Sequence, residues 1–132
     1  MKVQELRIGN WVKCKTTDGE KFGKICDILD LGYFTARCNG VEYGCKFHNA
    51  EGVVDCIEPI AITDELLLKN GFEQYGYIFK TLFIEMYEVA NGWHLHIDNE
   101  RFETALSITI KYVHQLQSAY YIATEKELEI KL

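Results

Sequence analysis

Within its first 58 residues the chain is cut by turn signals into pieces too short for anything but β-strands. Residues 11–15 end in Thr16-Thr17-Asp18-Gly19, residues 22–28 end in Leu29-Asp30-Leu31-Gly32, and residues 33–38 end in Asn39-Gly40. Asn-Gly is the sharpest hairpin signal of the three, because both residues tolerate positive φ. Val41, Tyr43, Cys45 and Phe47 then alternate with Glu42, Gly44 and Lys46, the period of a half-buried strand, and residues 53–57 supply a fifth extended segment. Five short strands in under sixty residues imply a small, strongly bent antiparallel sheet. By analogy of strand count, the expected form is an SH3-like barrel over residues 1–58.

The chain has one proline, Pro59. It fixes φ and lacks an N–H donor, so a regular strand should end before it and a second module, residues 59–132, should begin. The next helix has legible ends. Thr63 can act as N-cap, with Asp64 and Glu65 in the first turn, and Ile62 can staple onto Leu67. Lys69-Asn70-Gly71 closes it, with Gly71 left-handed and Phe72 folding back toward Leu67. Beyond it lie a long extended stretch over residues 77–89, a strand over 93–98 after Ala90-Asn91-Gly92, and another extended segment over about 102–110. Val113, Leu116, Tyr120 and Ala123 recur at helical spacing and predict a helix over residues 112–123. Leu128, Ile130 and Leu132 alternate with charged residues and predict a final strand. The whole is expected to be α+β: the small N-terminal barrel, then a small antiparallel sheet covered by two helices, in the order helix, three strands, helix, strand.

Charge narrows the function classes. Residues 1–60 carry eight basic and nine acidic side chains, and residues 61–132 carry six and eleven. Duplex binding draws on a basic excess, so nucleic acid is an expected partner only through the first module, where Lys13, Lys15, Lys21, Lys24 and Lys46 could cluster. No apolar run approaches the roughly 20 residues of a membrane span, and the N-terminus lacks a signal-peptide core, so the expected residence is cytoplasmic, without membrane contact. The five cysteines form no Cys-x-x-Cys and are expected to be small buried apolar residues.

Among constellations that carry chemistry, His94-x-His96-x-Asp98 is the sharpest. On a strand these three point the same way, and two imidazoles so spaced can reach one metal ion with the carboxylate as a third ligand; zinc would suit them. The simpler reading is the solvent face of an amphipathic strand. Cys45 and His48 resemble a nucleophile and base, but Cys45 lies inside an alternating strand, where a core role is expected. Glu73, Glu85, Glu88, Asp98, Glu100 and Glu103 supply carboxylates with no spacing that singles out a pair. Phosphate-binding glycine loops, Gly-x-Ser-x-Gly and His-Glu-x-x-His are absent. Trp11, Tyr33 and Tyr43 could form an aromatic floor on the first module. Tyr112, Tyr120 and Tyr121 cannot share one helix face, so one should reach solvent; Tyr121 is the candidate contact residue.

Three stretches together, residues 6–12 (Leu6-Arg7-Ile8-Gly9-Asn10-Trp11-Val12), residues 59–72 from Pro59 through Thr63-Asp64-Glu65 to Asn70-Gly71-Phe72, and residues 112–117, form a layout that resembles a family of small uncharacterised proteins of Bacteroides-type bacteria, their prophages and mobile elements. The resemblance implies a cytoplasmic protein of phage or mobile-element origin and supplies no site residues. The expectation for function is a non-enzymatic binding or adaptor protein, without cofactor, whose partner is another protein. Two alternatives stand beside it: a metal-dependent hydrolase built on His94, His96 and Asp98, and an acidic inhibitor that mimics nucleic acid through a negative stripe over residues 64–103.

Overall fold

The computed structural model describes residues 6–16, 19–29, 33–38, 41–46, 57–99 and 104–132. The chain divides into two compact units, Met1–Ile60 and Ala61–Leu132. Both are built on antiparallel sheets, and the two helices among the described residues belong to the second, so the class is α+β. Among the described residues no helix is long and apolar enough to cross a membrane.

In unit 1 the strands are β1 (Trp11–Thr16), β2 (Gly19–Leu29), β3 (Tyr33–Cys38), β4 (Val41–Lys46) and β5 (Ile57–Glu58). They form one sheet in the order β4-β3-β2-β1-β5. Alternation sorts the side chains: Val12, Cys14, Ile25 and Ile57 are buried, while Trp11, Lys13 and Lys15 point the other way. The long β2 shifts register between Ile25 and Asp27 where it pairs with β3. A bulge of this kind bends a strand and increases its twist. β5 stops at Glu58, one residue before Pro59, as the missing donor of proline requires. It is pinned to β1 by the Lys13–Glu58 and Cys14–Ile57 pairs and by a 2.9 Å ion pair between Lys15 and Glu58. That lysine holds the Glu58 carboxyl below its ordinary range, by hydrogen bond first and charge second. At the chain start, Gly9 N–H donates to Ile25 O (2.8 Å) and Ile25 N–H to Asn10 O (3.0 Å), which fastens the turn before β1 to β2.

Unit 2 opens with α1 (Asp64–Lys69). Leu66 N–H donates to Thr63 Oγ1 at 3.2 Å, Gly71 takes φ 85°, and Phe72 N–H donates to Leu67 O at 3.1 Å. Ile62, Leu67 and Phe72 are all buried, so the capping signals and the staple act together. There follow β6 (Glu73–Tyr75), β7 (Ile78–Thr81), β8 (Ile84–Val89), β9 (Gly92–Asn99), β10 (Thr104–Ile110) and α2 (Val113–Thr124), with sheet order β10-β9-β8-β7-β6. α2 packs on β9 and β10. Its first turn is closed by Gln115, whose Oε1 accepts from Lys111 N–H (2.8 Å) and Tyr112 N–H (3.1 Å). Beneath the helices lie Phe79, Ile84, Met86, Trp93, Leu95, Ile97 and Ile110, all buried. Trp93 donates from Nε1 to Ile62 O at 3.1 Å and meets Phe79 edge-on at 5.5 Å, tying the segment before α1 to the sheet.

Two expectations are corrected. The sheet of unit 2 has five strands, not three before the second helix. The stretch read as one extended segment over 77–89 is folded into β7 and β8 by a two-residue turn at Leu82-Phe83, and β6 adds another strand before Gly76-Tyr77. Leu-Phe carries no turn chemistry, which is why the break was invisible. The final strand is also absent: residues 125–132 join no sheet. Their alternation reflects a tail held by a side chain. Lys131 N–H donates to Asn70 Oδ1 (2.6 Å) and Asn70 Nδ2 donates to Lys131 O (2.8 Å), so one asparagine supplies both bonds that a neighbouring strand would supply. Ile130 is buried by this attachment.

Candidate functional site

Helix α2 packs on one face of the second sheet, and register defines the other. Tyr75, Ile78, Tyr87, His94 and Thr109 stand side by side across the five strands, and Glu73, Lys80, Glu85, His96 and Ser107 make the adjacent row. Both rows oppose the buried Phe79, Met86 and Leu95, so they face outward by alternation.

The first row is aromatic. Tyr77, 74% exposed in the β6–β7 turn, meets Tyr87 edge-on with centroids 6.0 Å apart, and Tyr87 lies 4.9 Å from the His94 ring at a 30° tilt. His94 Nε2 and Ser107 Oγ are hydrogen-bonded at 3.1 Å. Three rings and a hydroxyl thus run from the β6–β7 turn to β10. Gly76 makes this possible: its φ of 63° gives the type II′ pattern that fits a two-residue hairpin and presents Tyr77 at the tip.

The second row is ionic. Lys80 and Glu85 pair at 3.1 Å across β7 and β8, with both side chains about half exposed, so the pair contributes little to stability. Tyr75 donates its hydroxyl to Glu73, and that carboxylate, by hydrogen bond and then by charge, raises the Tyr75 phenol above its ordinary range. Lys80, Glu85, His96 and Asp98 join Leu82 and Phe83 around an open depression of about 420 Å³.

Leu82 and Phe83 are the residues that local rules least explain. They form the whole β7–β8 loop, closed by the Thr81–Ile84 pair, and are 89% and 38% exposed. Two-residue hairpins favour Gly, Asn or Asp because their best turns need positive φ, yet neither residue adopts it. The loop is nevertheless anchored, since Asp98 N–H donates to Phe83 O at 2.9 Å. An apolar pair therefore stands at the rim of a polar depression, and both residues also line a cavity of about 110 Å³ with Phe72, Tyr120, Leu128 and Ile130.

His94, His96 and Asp98 share the outward face that alternation assigns them, but they diverge in use. His94 is engaged by Tyr87 and Ser107, while His96 and Asp98 line the depression. Among the described residues no three His, Cys, Asp or Glu side chains are placed to hold one metal ion. The Ser107–His94 contact lies on an exposed strand, not at a helix N-terminus or shaped loop from which oxyanion donors come. Lys80 interrupts Glu73, Glu85 and Asp98, so the acidic groups of this face are not a stripe of one sign.

Trp11 is half-buried in unit 1, with Lys24 Nζ 5.1 Å from its ring centre. Tyr33 and Tyr43 occupy β3 and β4, but their side chains, like that of Cys45 and all of His48, lie outside the described residues. Cys14 is buried and Cys26 shares a 3.0 Å hydrogen bond with Thr35. Lys13 and Lys15 are paired with Glu20 (3.7 Å) and Glu58. Tyr121 is 40% exposed on α2, whereas Tyr112 is half-buried and stacks on the buried His114 at 5.8 Å. Sequence reasoning missed Tyr75, Tyr77, Leu82, Phe83 and Tyr87. Gly76, flanked by two tyrosines, was the available signal for the first two.

No protein-family model matches the chain, and neither a curated protein nor a solved structure is similar to it at a significant level.

Proposed function

We propose that the protein is a non-enzymatic binding module or adaptor that recognises another protein on the outward face of its second sheet. The observation that carries this reading is the Leu82-Phe83 turn, an exposed apolar pair set where turn chemistry would place glycine or asparagine. Such residues weaken a hairpin locally and gain free energy only when something covers them. The tyrosine and histidine row beside them offers apolar area with hydrogen-bonding tips, the composition that interfaces favour. Six basic against eleven acidic side chains over residues 61–132 favour a protein over a phosphate backbone.

For unit 1 we retain the SH3-like reading. The order β4-β3-β2-β1-β5 and the register shift in the long β2 support it, since a bent second strand lets one meander fold back on itself. A phage or mobile-element origin would supply a host protein as the partner.

The test is affinity capture from nuclease-treated host lysate at low and high salt, with wild-type protein, Leu82→Asp and Tyr87→Ala as baits. The expected result is a protein retained by the wild type at both salt levels and lost on Leu82→Asp. A hot-spot loss of about 2 kcal/mol or more corresponds to roughly thirtyfold weaker binding. Identical captures by all three baits would refute the assignment of this face. Stoichiometric metal in protein purified without chelator would instead favour the hydrolase.

A further inference from the structure

We infer that unit 2 carries a binding site for a small neutral molecule with a single aromatic ring, in the cavity of about 110 Å³ on the inner side of its second sheet. The inference stands without the protein-partner reading, because it concerns the opposite side of the Leu82-Phe83 turn. Thr81 and Ile84, the pair that closes this turn, share the face of the buried Phe79 and Met86, and both line the cavity. Native interiors are packed so closely that few voids exceed a water molecule, while an apolar cavity of roughly 150 Å³ takes up benzene. The space here is of ring size.

The walls select the ligand. Phe72 after α1, Phe83 in the turn and Tyr120 on α2 bring three rings from three separate elements, and rings favour edge-on or offset contact with another ring. Buried Ile84 and Ile130 add aliphatic surface. Asn70 also lines the space, but both its amide hydrogens are committed, to Leu66 O and Lys131 O at 2.8 Å each. Thr81 and Tyr120 contribute uncharged hydroxyls. Among the described lining residues Glu129 is the one charged side chain and none is basic, so a carboxylate or phosphate would lose water without gaining a cation.

The way in is the segment after α2, which is fixed at two points. Glu125 caps α2 with φ 59°, the one non-glycine residue among those described with positive φ, and its N–H donates to Tyr121 O at 2.7 Å. Further on, Lys131 is clipped by Asn70. Leu128, Glu129 and Ile130, between these points, form the outer wall and belong to no sheet or helix. Their displacement admits a ring without disturbing β8 or α2, the local opening of low cost on which binding sites draw.

Toluene is the probe, titrated into the full chain and read by amide chemical shifts and by thermal melting. The expected result is saturable binding with a dissociation constant of about 1 mM or below and a melting point raised by roughly 3 °C or more as the site fills. Shifts should centre on residues 70–72, 81–84, 120 and 128–131. Benzoate should bind about tenfold more weakly or worse. Leu128→Trp, which sets a larger side chain in the outer wall, should weaken toluene by about the same factor. Exclusion of 2-naphthol, a fused ring pair, from the wild type reports the size of the space without any variant. A chain that toluene leaves unchanged up to its solubility has a packing void only, which overturns the inference. So do shifts confined elsewhere, unaltered toluene affinity in Leu128→Trp, 2-naphthol binding as tightly as toluene, or benzoate or benzylammonium doing so.

Discussion

Gly92 is the residue whose replacement separates backbone strain from steric overlap. It begins β9 with φ 145°, a region that residues with a Cβ rarely adopt. An added Cβ would overlap the carbonyl oxygen of Ile110 and stand 2.9 Å from Lys111 Cγ and 3.2 Å from the Ile110 carbonyl carbon. Two penalties follow for Gly92→Ala. Holding alanine in that conformation costs about 1–3 kcal/mol. Relieving the overlap requires the junction of β10 and α2 to move against the buried Ile110–Trp93 pair, an overpacking worth about 1–3 kcal/mol more. The sum, about 4 kcal/mol, is a large share of the ~5–15 kcal/mol that holds a domain together, and it corresponds to a melting-point drop of roughly 16–32 °C for a unit of this size. Gly76→Ala is the control. Its φ of 63° strains alanine as well, by about 1–3 kcal/mol, but nothing stands within 4 Å of the added carbon, so backbone strain is the one penalty that applies. Both variants are to be made in a Trp11→Phe background, which leaves Trp93 as the sole tryptophan, and followed by urea titration of its fluorescence. If Gly92→Ala fell within about 1 kcal/mol of Gly76→Ala, the close approach of Gly92 to Ile110 would carry no weight and the argument would be wrong.

Asn70→Ala should release the C-terminal tail. It removes both bonds to Lys131 and the 2.8 Å bond to Leu66 O, about 1 kcal/mol each at most, and hydrogen exchange at Lys131 should accelerate while the amides of β8 and β9 stay protected. Tyr75 should ionise above a free tyrosine in a 295 nm titration, and Glu73→Gln should bring it back down. Because the folded pKa is raised, any stability this contact contributes is fully present below the ordinary tyrosine value and is lost as pH climbs through the raised one. Leu82→Asp should leave the urea midpoint unchanged, because a side chain 89% exposed has little burial to lose. A marked destabilisation would show that the turn is part of the core and not an offered surface.

What could be read from the chain followed the reach of each signal. Local ones were complete: the Thr63 cap, the left-handed Gly71 and the return of Phe72 concern neighbours within ten residues, and each appears where spacing put it. Alternation likewise placed Leu95 and Ile97 inward and His94 and His96 outward. The failures arose where a feature of one segment was satisfied by a distant one. Alternation over residues 127–132 is what a strand needs, but Asn70, some sixty positions away, supplies the pairing that a strand would have found in a sheet. No periodicity within the tail distinguishes the two.

The site was hidden for a related reason. Function on an outward sheet face depends on which residues stand abreast, and that depends on where hairpins turn. Reading residues 77–89 as one piece separates Tyr77 from Tyr87 by most of a strand; folding them at Leu82-Phe83 brings the rings to 6.0 Å. The turn was unreadable because it is written in residues that disfavour turns, and that same disagreement between local propensity and observed conformation is what marks it. A conflict of this kind between local rules and the fold marks a candidate functional site. Phe83 is partly tucked and Leu82 is not, so under the proposed reading Leu82 is the side chain that a partner would cover.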